Sequence, residues 1–333
     1  MKYNLIIGFF FFISCISYGQ VREKPTKKRL PTTKGLDNKD LIKSKVSDSI
    51  RESNTSTKNN KSIEAKIEDY LIISHVSDTT YVDTTLTIQK EYKFNYLRKD
   101  NFGLLPFSNL GQTYNTLSYN FDDNNLMPTF GARSKHLNYM EIEDIYYYHV
   151  PTPLTELFFK TAFQQGQLVD AFFTVNTSKQ FNFSIAYKGL RSLGKYQHII
   201  TSTGNFRFTT NYKTKNNKYS ARAHIVMQDV LNEENGGIND DQVPFFETGD
   251  PEFLDRSIFD VNFEDAEGLL NGKRFHLDHV YNIINKKDSI SSNKLNVRHI
   301  ISFEDKYYQY DQTNQNDYFG DAFKSSNLRD GVS

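Results

Sequence analysis

One periodicity governs the second half of this chain. Phe181-Asn182-Phe183-Ser184-Ile185-Ala186-Tyr187-Lys188 alternates apolar and mostly polar residues, and Phe206 to Lys213 repeats the pattern with one threonine on the apolar side. Tyr219, Ala221, Ala223, Ile225 and Met227 alternate with Ser220, Arg222, His224, Val226 and Gln228. Phe275, Leu277, His279, Tyr281 and Ile283 share one face of a further segment, and Leu295, Val297, His299, Ile301 and Phe303 one face of the next. Successive side chains of a strand point to opposite faces, so each segment carries one greasy and one wet surface.

A two-faced sheet can bury its greasy side against a second sheet, as in a soluble sandwich, or turn it toward lipid around a wet lumen. Three features favour the second arrangement. The segments run to about 9–11 residues, the length of a tilted membrane-crossing strand. Tyr or Phe recurs near their ends, as interfacial girdles require. Connections also alternate in length: a Lys-Asn-rich turn joins Lys213 to Tyr219, whereas Leu190 to Asn205 and Asp229 to Gly272 are long. The expected fold is therefore all-β, an antiparallel transmembrane β-barrel.

Composition fits once this pattern is known. A mean hydropathy of −0.61 with 38% hydrophobic residues suggests a soluble protein, but a barrel wall needs only every second residue to be apolar. The load of 21 Tyr and 27 Phe, with no Trp, suits a surface that meets lipid and water. Forty Lys and Arg balance forty Asp and Glu, which gives no charge argument for a nucleic-acid partner; the expected partners are outer-membrane lipid and small hydrophilic solutes.

The N-terminus divides into three parts. Residues 1–19 read as an export signal: Lys2, an apolar run from Leu5 to Ile13, and small residues at Ser17 and Gly19. Lipidation at Cys15, the sole cysteine, is the rival reading; Phe12-Ile13-Ser14 fits it poorly. Residues 20–62 read as a disordered tail, since Val21 to Ser62 holds twelve Lys/Arg against five Asp/Glu and few apolar residues. It serves either as a solvated tether or as a contact for periplasmic polymers and anionic lipid. Residues 63–145 form a β and irregular segment leading into the barrel, with no helical repeat of comparable strength between Tyr70 and Arg98. Residues 146–333 supply the first part of the barrel.

Several blocks carry a resemblance. They are Tyr96-Leu97-Arg98-Lys99-Asp100-Asn101-Phe102-Gly103, then Leu105 to Asn115 (LPFSNLGQTYN), and Tyr147 to Leu157 (YYHVPTPLTEL). Gly189 to Tyr196 (GLRSLGKY) and Glu234-Asn235-Gly236-Gly237-Ile238 follow in order. From about Tyr70 to the last residue the chain resembles the porin family of Bacteroidetes-type outer membranes. The resemblance implies an outer-membrane barrel acting as a passive diffusion channel. Such barrels usually end on a strand that closes with an aromatic residue. Arg329-Asp330-Gly331-Val332-Ser333 has none, and roughly eight spanning candidates after Tyr146 are fewer than a barrel of that family should have, so a fragment is expected.

Two constellations stand out. Lys188, Arg207, Lys213, Arg222 and His224 fall on the wet faces of three neighbouring strands. They either line a pore with a mild anion preference or keep a lumen hydrated. The connection from Asp229 to Gly272 holds seven Asp and six Glu against Arg256 alone. It is read as a solvated surface loop, as a pore constriction, or as a Ca²⁺ ligand set through Asp240, Asp241 and Asp250; the twelve-residue calcium-loop spacing is missing. His276 and His279 are three apart, which on a strand sends them to opposite faces and argues against a zinc site. Without a Gly-x-Ser-x-Gly elbow, phosphate loop or paired-carboxylate motif, neither catalysis nor a cofactor is expected.

Overall fold

The computed structural model describes residues 65–119, 133–162, 166–249, 251–287, 292–314, 318 and 327–332. All of them belong to one unit, Ser62–Ser333; the expected export signal and basic tail lie outside the described residues.

Five short strands come first: β1 (Leu71–Ile73), β2 (Thr79–Tyr81), β3 (Leu104–Pro106), β4 (Tyr114–Thr116) and β5 (Tyr147–His149). Eight more follow: β6 (Leu154–Ala162), β7 (Gly166–Ser178), β8 (Phe181–Ser192), β9 (Thr201–Lys213), β10 (Tyr219–Glu233), β11 (Ala266–Lys287), β12 (Ser292–Gln312) and β13 (Asn327–Val332). The last eight form one antiparallel sheet in chain order, β6 to β13, each strand bonded to its sequence neighbour. That sheet is open: β6 and β13 are its two edges. The chain thus lays down a large antiparallel meander, and no closed barrel is formed by these residues.

The strands overrun the expected segments. Those flanking the acidic connection reach Glu233 and resume at Ala266, and β11 and β12 are 22 and 21 residues long. Pairing explains the extension. Val230, Leu231 and Asn232 face Leu270, Leu269 and Gly268 in register, which satisfies backbone groups that a loop would have left open. The acidic connection is therefore 234–265, and Asp229, Glu233 and Glu267 are strand residues.

The turns after β7 and β9 lie at one end of the sheet, and the long connections after β8 and β10 at the other. At the short-turn end, the Ser178 hydroxyl accepts from the backbone N–H of Gln180 and Phe181. Asn217 takes a left-handed φ of 54° in the turn between β9 and β10, a conformation its short polar side chain tolerates. At the long-loop end lie 193–200 and 234–265, the latter holding the six-residue helix α1 (Val243–Thr248).

The segment before β6 builds two small sheets of its own. β1 sits between β2 and β5, with Leu71, Ile72 and Ile73 opposite His149, Tyr148 and Tyr147. This pairing clasps the beginning of the segment to its end. β5 therefore belongs to this clasp, and the large sheet begins at Leu154.

Candidate functional site: a polar wall and the segment that covers it

The polarity of the large sheet is inverted relative to a water-soluble core. On β8, Asn182, Ser184, Lys188 and Ser192 are buried while Ile185 and Tyr187 are exposed. On β10, Arg222, His224, Gln228 and Asn232 are buried while Ile225 and Met227, the latter at 49%, are exposed. On β11, Arg274, His276 and Asp278 are buried beyond the apolar Ala266 and Leu270, and Phe275 and Tyr281 are open. Phe303 on β12 is 64% exposed. The greasy face is bare, and the polar face is covered by protein.

All five basic residues singled out in the sequence share that polar face, on the adjacent strands β8, β9 and β10. Lys188 is 7% exposed; its ammonium donates to the Tyr96 carbonyl and lies 4.4 Å from the centre of the Tyr96 ring. Arg207 pairs with Asp170 at 3.1 Å. Arg222 pairs with Asp278 at 2.5 Å, and Arg298 shares the same carboxylate at 2.8 Å. His224 is 1% exposed and stacks on His276 at 4.9 Å. Lys213, at the short-turn end, is exposed. His276 and His279 do occupy opposite faces, the first buried and the second on the greasy side. Sequence reasoning passed over Arg274, Asp278 and Arg298, although Arg274 and Asp278 alternate with Phe275 and Leu277 and could have been placed by the same parity.

The cover is the segment that precedes β6, fastened at three levels. Near the long loops, the Asn109 amide donates to the carbonyls of Ser192 (3.1 Å) and Ile199 (2.7 Å). Thr201 Oγ1 donates to the Leu110 carbonyl at 2.6 Å, and the Asn232 amide to that of Gly111 at 3.1 Å. Gly111 has a φ of 86°, and a Cβ there would stand 2.2 Å from Leu190 Cδ2; only glycine fits.

Midway along the sheet, Gln228 reads both backbone groups of Met140, accepting from its N–H (2.9 Å) and donating to its carbonyl (3.0 Å). Arg274, 2% exposed, also donates to the Met140 carbonyl, at 2.9 Å, and to Glu304 at 3.2 Å. The Tyr139 hydroxyl donates to Glu304 at 2.7 Å. Tyr139 rests on bare wall: a Cβ on Gly272 would be 1.8 Å from its hydroxyl.

At the short-turn end, Arg222 donates to the Ser74 carbonyl at 2.7 Å and to Ser77 Oγ at 2.9 Å. The Asn211 amide donates to the Tyr148 carbonyl at 3.1 Å. The Arg274 Nε–H donates to His224 Nε2 at 3.2 Å, so in the neutral ring the proton sits on Nδ1 and is directed at the Tyr147 hydroxyl, 2.9 Å away. Burial pushes the Tyr147 phenol up to about 12, which keeps it protonated. Two apolar seams complete the seat: Tyr96, Leu97 and Tyr114 against Leu168 and Leu190, and Tyr139 against Val230 and Leu270.

The acidic connection is internally braced, with Phe259, Val261 and Phe263 buried. Asp240 and Asp241 sit in a single 3-10 turn and are open to solvent; Asp250 lies outside the described residues. Gln242 donates to Asp260 at 2.7 Å, and Arg256 covers the Phe246 ring at 4.2 Å. Among the described residues no group of three or more His, Cys, Asp or Glu is arranged to hold a metal ion.

A family model described as Putative porin matches residues 66–333. The chain belongs to this porin family. The matched region takes in the whole of the porin sheet together with its covering segment, so both are parts of one family domain. No curated protein and no solved structure matches the porin chain.

Proposed function

We propose that this porin-family chain is part of an outer-membrane β-barrel that lets small hydrophilic solutes cross by passive diffusion. The observation that carries the reading is the inverted sheet. A face bearing Ile185, Phe206, Ile225, Phe275 and Phe303 costs nothing against hydrocarbon and much against water. From Tyr219 to Met227, about nine residues rise roughly 30 Å along β10 and ~23 Å when tilted by roughly 40°, close to the apolar band of such barrels. The polar face then turns toward the lumen, and further strands close the sheet between β6 and β13. An export signal at residues 1–19 takes the chain to that membrane, and residues 20–62 form a periplasmic tail.

Lys188, Arg207, Lys213, Arg222 and His224 are proposed to face the lumen. Asp170, Asp278 and Glu304 on the same face offset much of the positive charge, so any anion preference is mild. The test is the full-length protein in planar lipid bilayers. Discrete conductance steps with a weak preference for anions are expected, and a complete lack of conductance would remove the channel.

The covered wall favours one alternative, a barrel that does not conduct and instead binds a ligand or surface partner through residues 234–265. Saturable binding lost on removing that loop, with no conductance, would select it.

A further inference from the structure

We propose, resting on the channel reading above, that the described stretches 67–119 and 133–150 act as a displaceable plug, so that the pore is gated rather than permanently open. The segment spans the polar wall. Its Arg222 latch lies near the turn that joins β9 to β10, its Met140 latch lies midway, and its Asn109–Gly111 latch meets Ser192, Thr201 and Asn232 beside the long loops. A chain crossing a lumen from one end to the other stands in the path of any solute.

The chemistry of the seat favours reversible closure. The wall groups that hold the segment are amides, hydroxyls and charged side chains: Gln228, Asn232, Ser192, Thr201, Arg222 and Arg274. Water satisfies every one of them once the segment leaves, so release exposes no orphaned polar group. The apolar seams set Tyr96, Leu97, Tyr114 and Tyr139 of the segment against Leu168, Leu190, Val230 and Leu270 of the wall, and exposing them is the cost that release must meet. On the segment, Arg222 and Gln228 bond backbone groups of Ser74 and Met140, which rehydrate as readily. Pro151-Thr152-Pro153 joins the segment to β6 through an exposed link in which both prolines are confined to extended or turn geometry, a suitable pivot.

The experiment uses full-length protein with Cys15→Ser, Asn109→Cys and Ser192→Cys; the parent side chains of the new pair meet at 2.6 Å. Oxidation should form a disulfide in the folded, lipid-embedded protein and abolish channel openings, and reduction should restore them. Gln228→Ala, which removes the central latch without a crosslink, should raise the fraction of time open. Failure of the disulfide to form in folded protein would show that the segment does not occupy this seat. Equal conductance in the oxidised and reduced states would overturn the plug while leaving the channel standing. Silence in every variant, Gln228→Ala included, would overturn the channel and the plug together.

Discussion

Arg222 joins four groups: the Asp278 carboxylate, the Ser74 and His75 carbonyls and the Ser77 hydroxyl. Replacing it with alanine leaves Asp278 with Arg298 alone and strips donors from the β1–β2 turn. Removing one partner of a buried pair costs roughly 3–5 kcal/mol, and the remaining Arg298 puts Arg222→Ala at about 3. Urea unfolding of the lipid-embedded protein measures this, together with faster proteolysis near Ser74; an unchanged midpoint would contradict the assignment. His149 makes a second prediction at this scale. Its Nδ1 accepts from the Asn176 amide, and burial, with Lys213 adding to it, holds the imidazole below its ordinary range. The unfolded chain therefore takes up a proton at about pH 6.5, before the folded one does. The stability contributed by neutral His149 is complete above that pH and declines as the pH falls toward the lowered folded value. His149→Gln should flatten the decline between pH 7.5 and 5, and a steeper slope in the variant would reverse the sign.

At the scale of the strand, two residues of β10 that differ only in depth give a graded test. Ile225 shares a row of the bare face with Ile185, Phe208, Phe275 and Phe303, one row nearer than Met227 to the middle of the stretch from Tyr219 to Met227. Met227 lies one row toward the long loops, with Lys273 as its neighbour. An arginine on the lipid side costs ~2–4 kcal/mol at the bilayer midplane and roughly 0–1 near the interface. Ile225→Arg should thus destabilise the protein in phospholipid vesicles clearly more than Met227→Arg does. Equal costs would mean that the face does not meet hydrocarbon. The strand is also where sequence was most readable. The period of two marked β8 to β12 and put Lys188, Arg207, Lys213, Arg222 and His224 on one face, because parity along a strand is a local property. Strand ends were less legible: pairing of Val230 to Asn232 with Gly268 to Leu270 depends on a partner some forty residues away by count along the chain. The reach of β11 and β12 beyond their apolar stretches was hidden for the same reason.

For the whole molecule, the arrangement predicts a particular behaviour on extraction. Alkaline carbonate, which releases peripheral proteins, should leave the full-length protein in the membrane pellet, and detergent should be needed to free it. Recovery in the aqueous wash would favour a soluble sandwich. What no periodicity could disclose was the seat of the covering segment. The Gly-, Pro- and Asn-rich stretch from Asn101 to Asn115 reads locally as an irregular connection, and Tyr139 or Met140 carries no pattern at all. Their roles arise from contacts with Gln228, Gly272 and Glu304, far along the chain. Complementarity between a loop and a wall is written in two places at once, and neither half is distinctive alone.

The β1–β5 clasp bears on topology. Because the segment starts and finishes side by side, it lies against the wall as a closed bight instead of a threaded end. No terminus has to be drawn through a ring of strands for it to come or go, so the two arrangements are linked without a knot, and a barrel assembled around the bight would not imprison it.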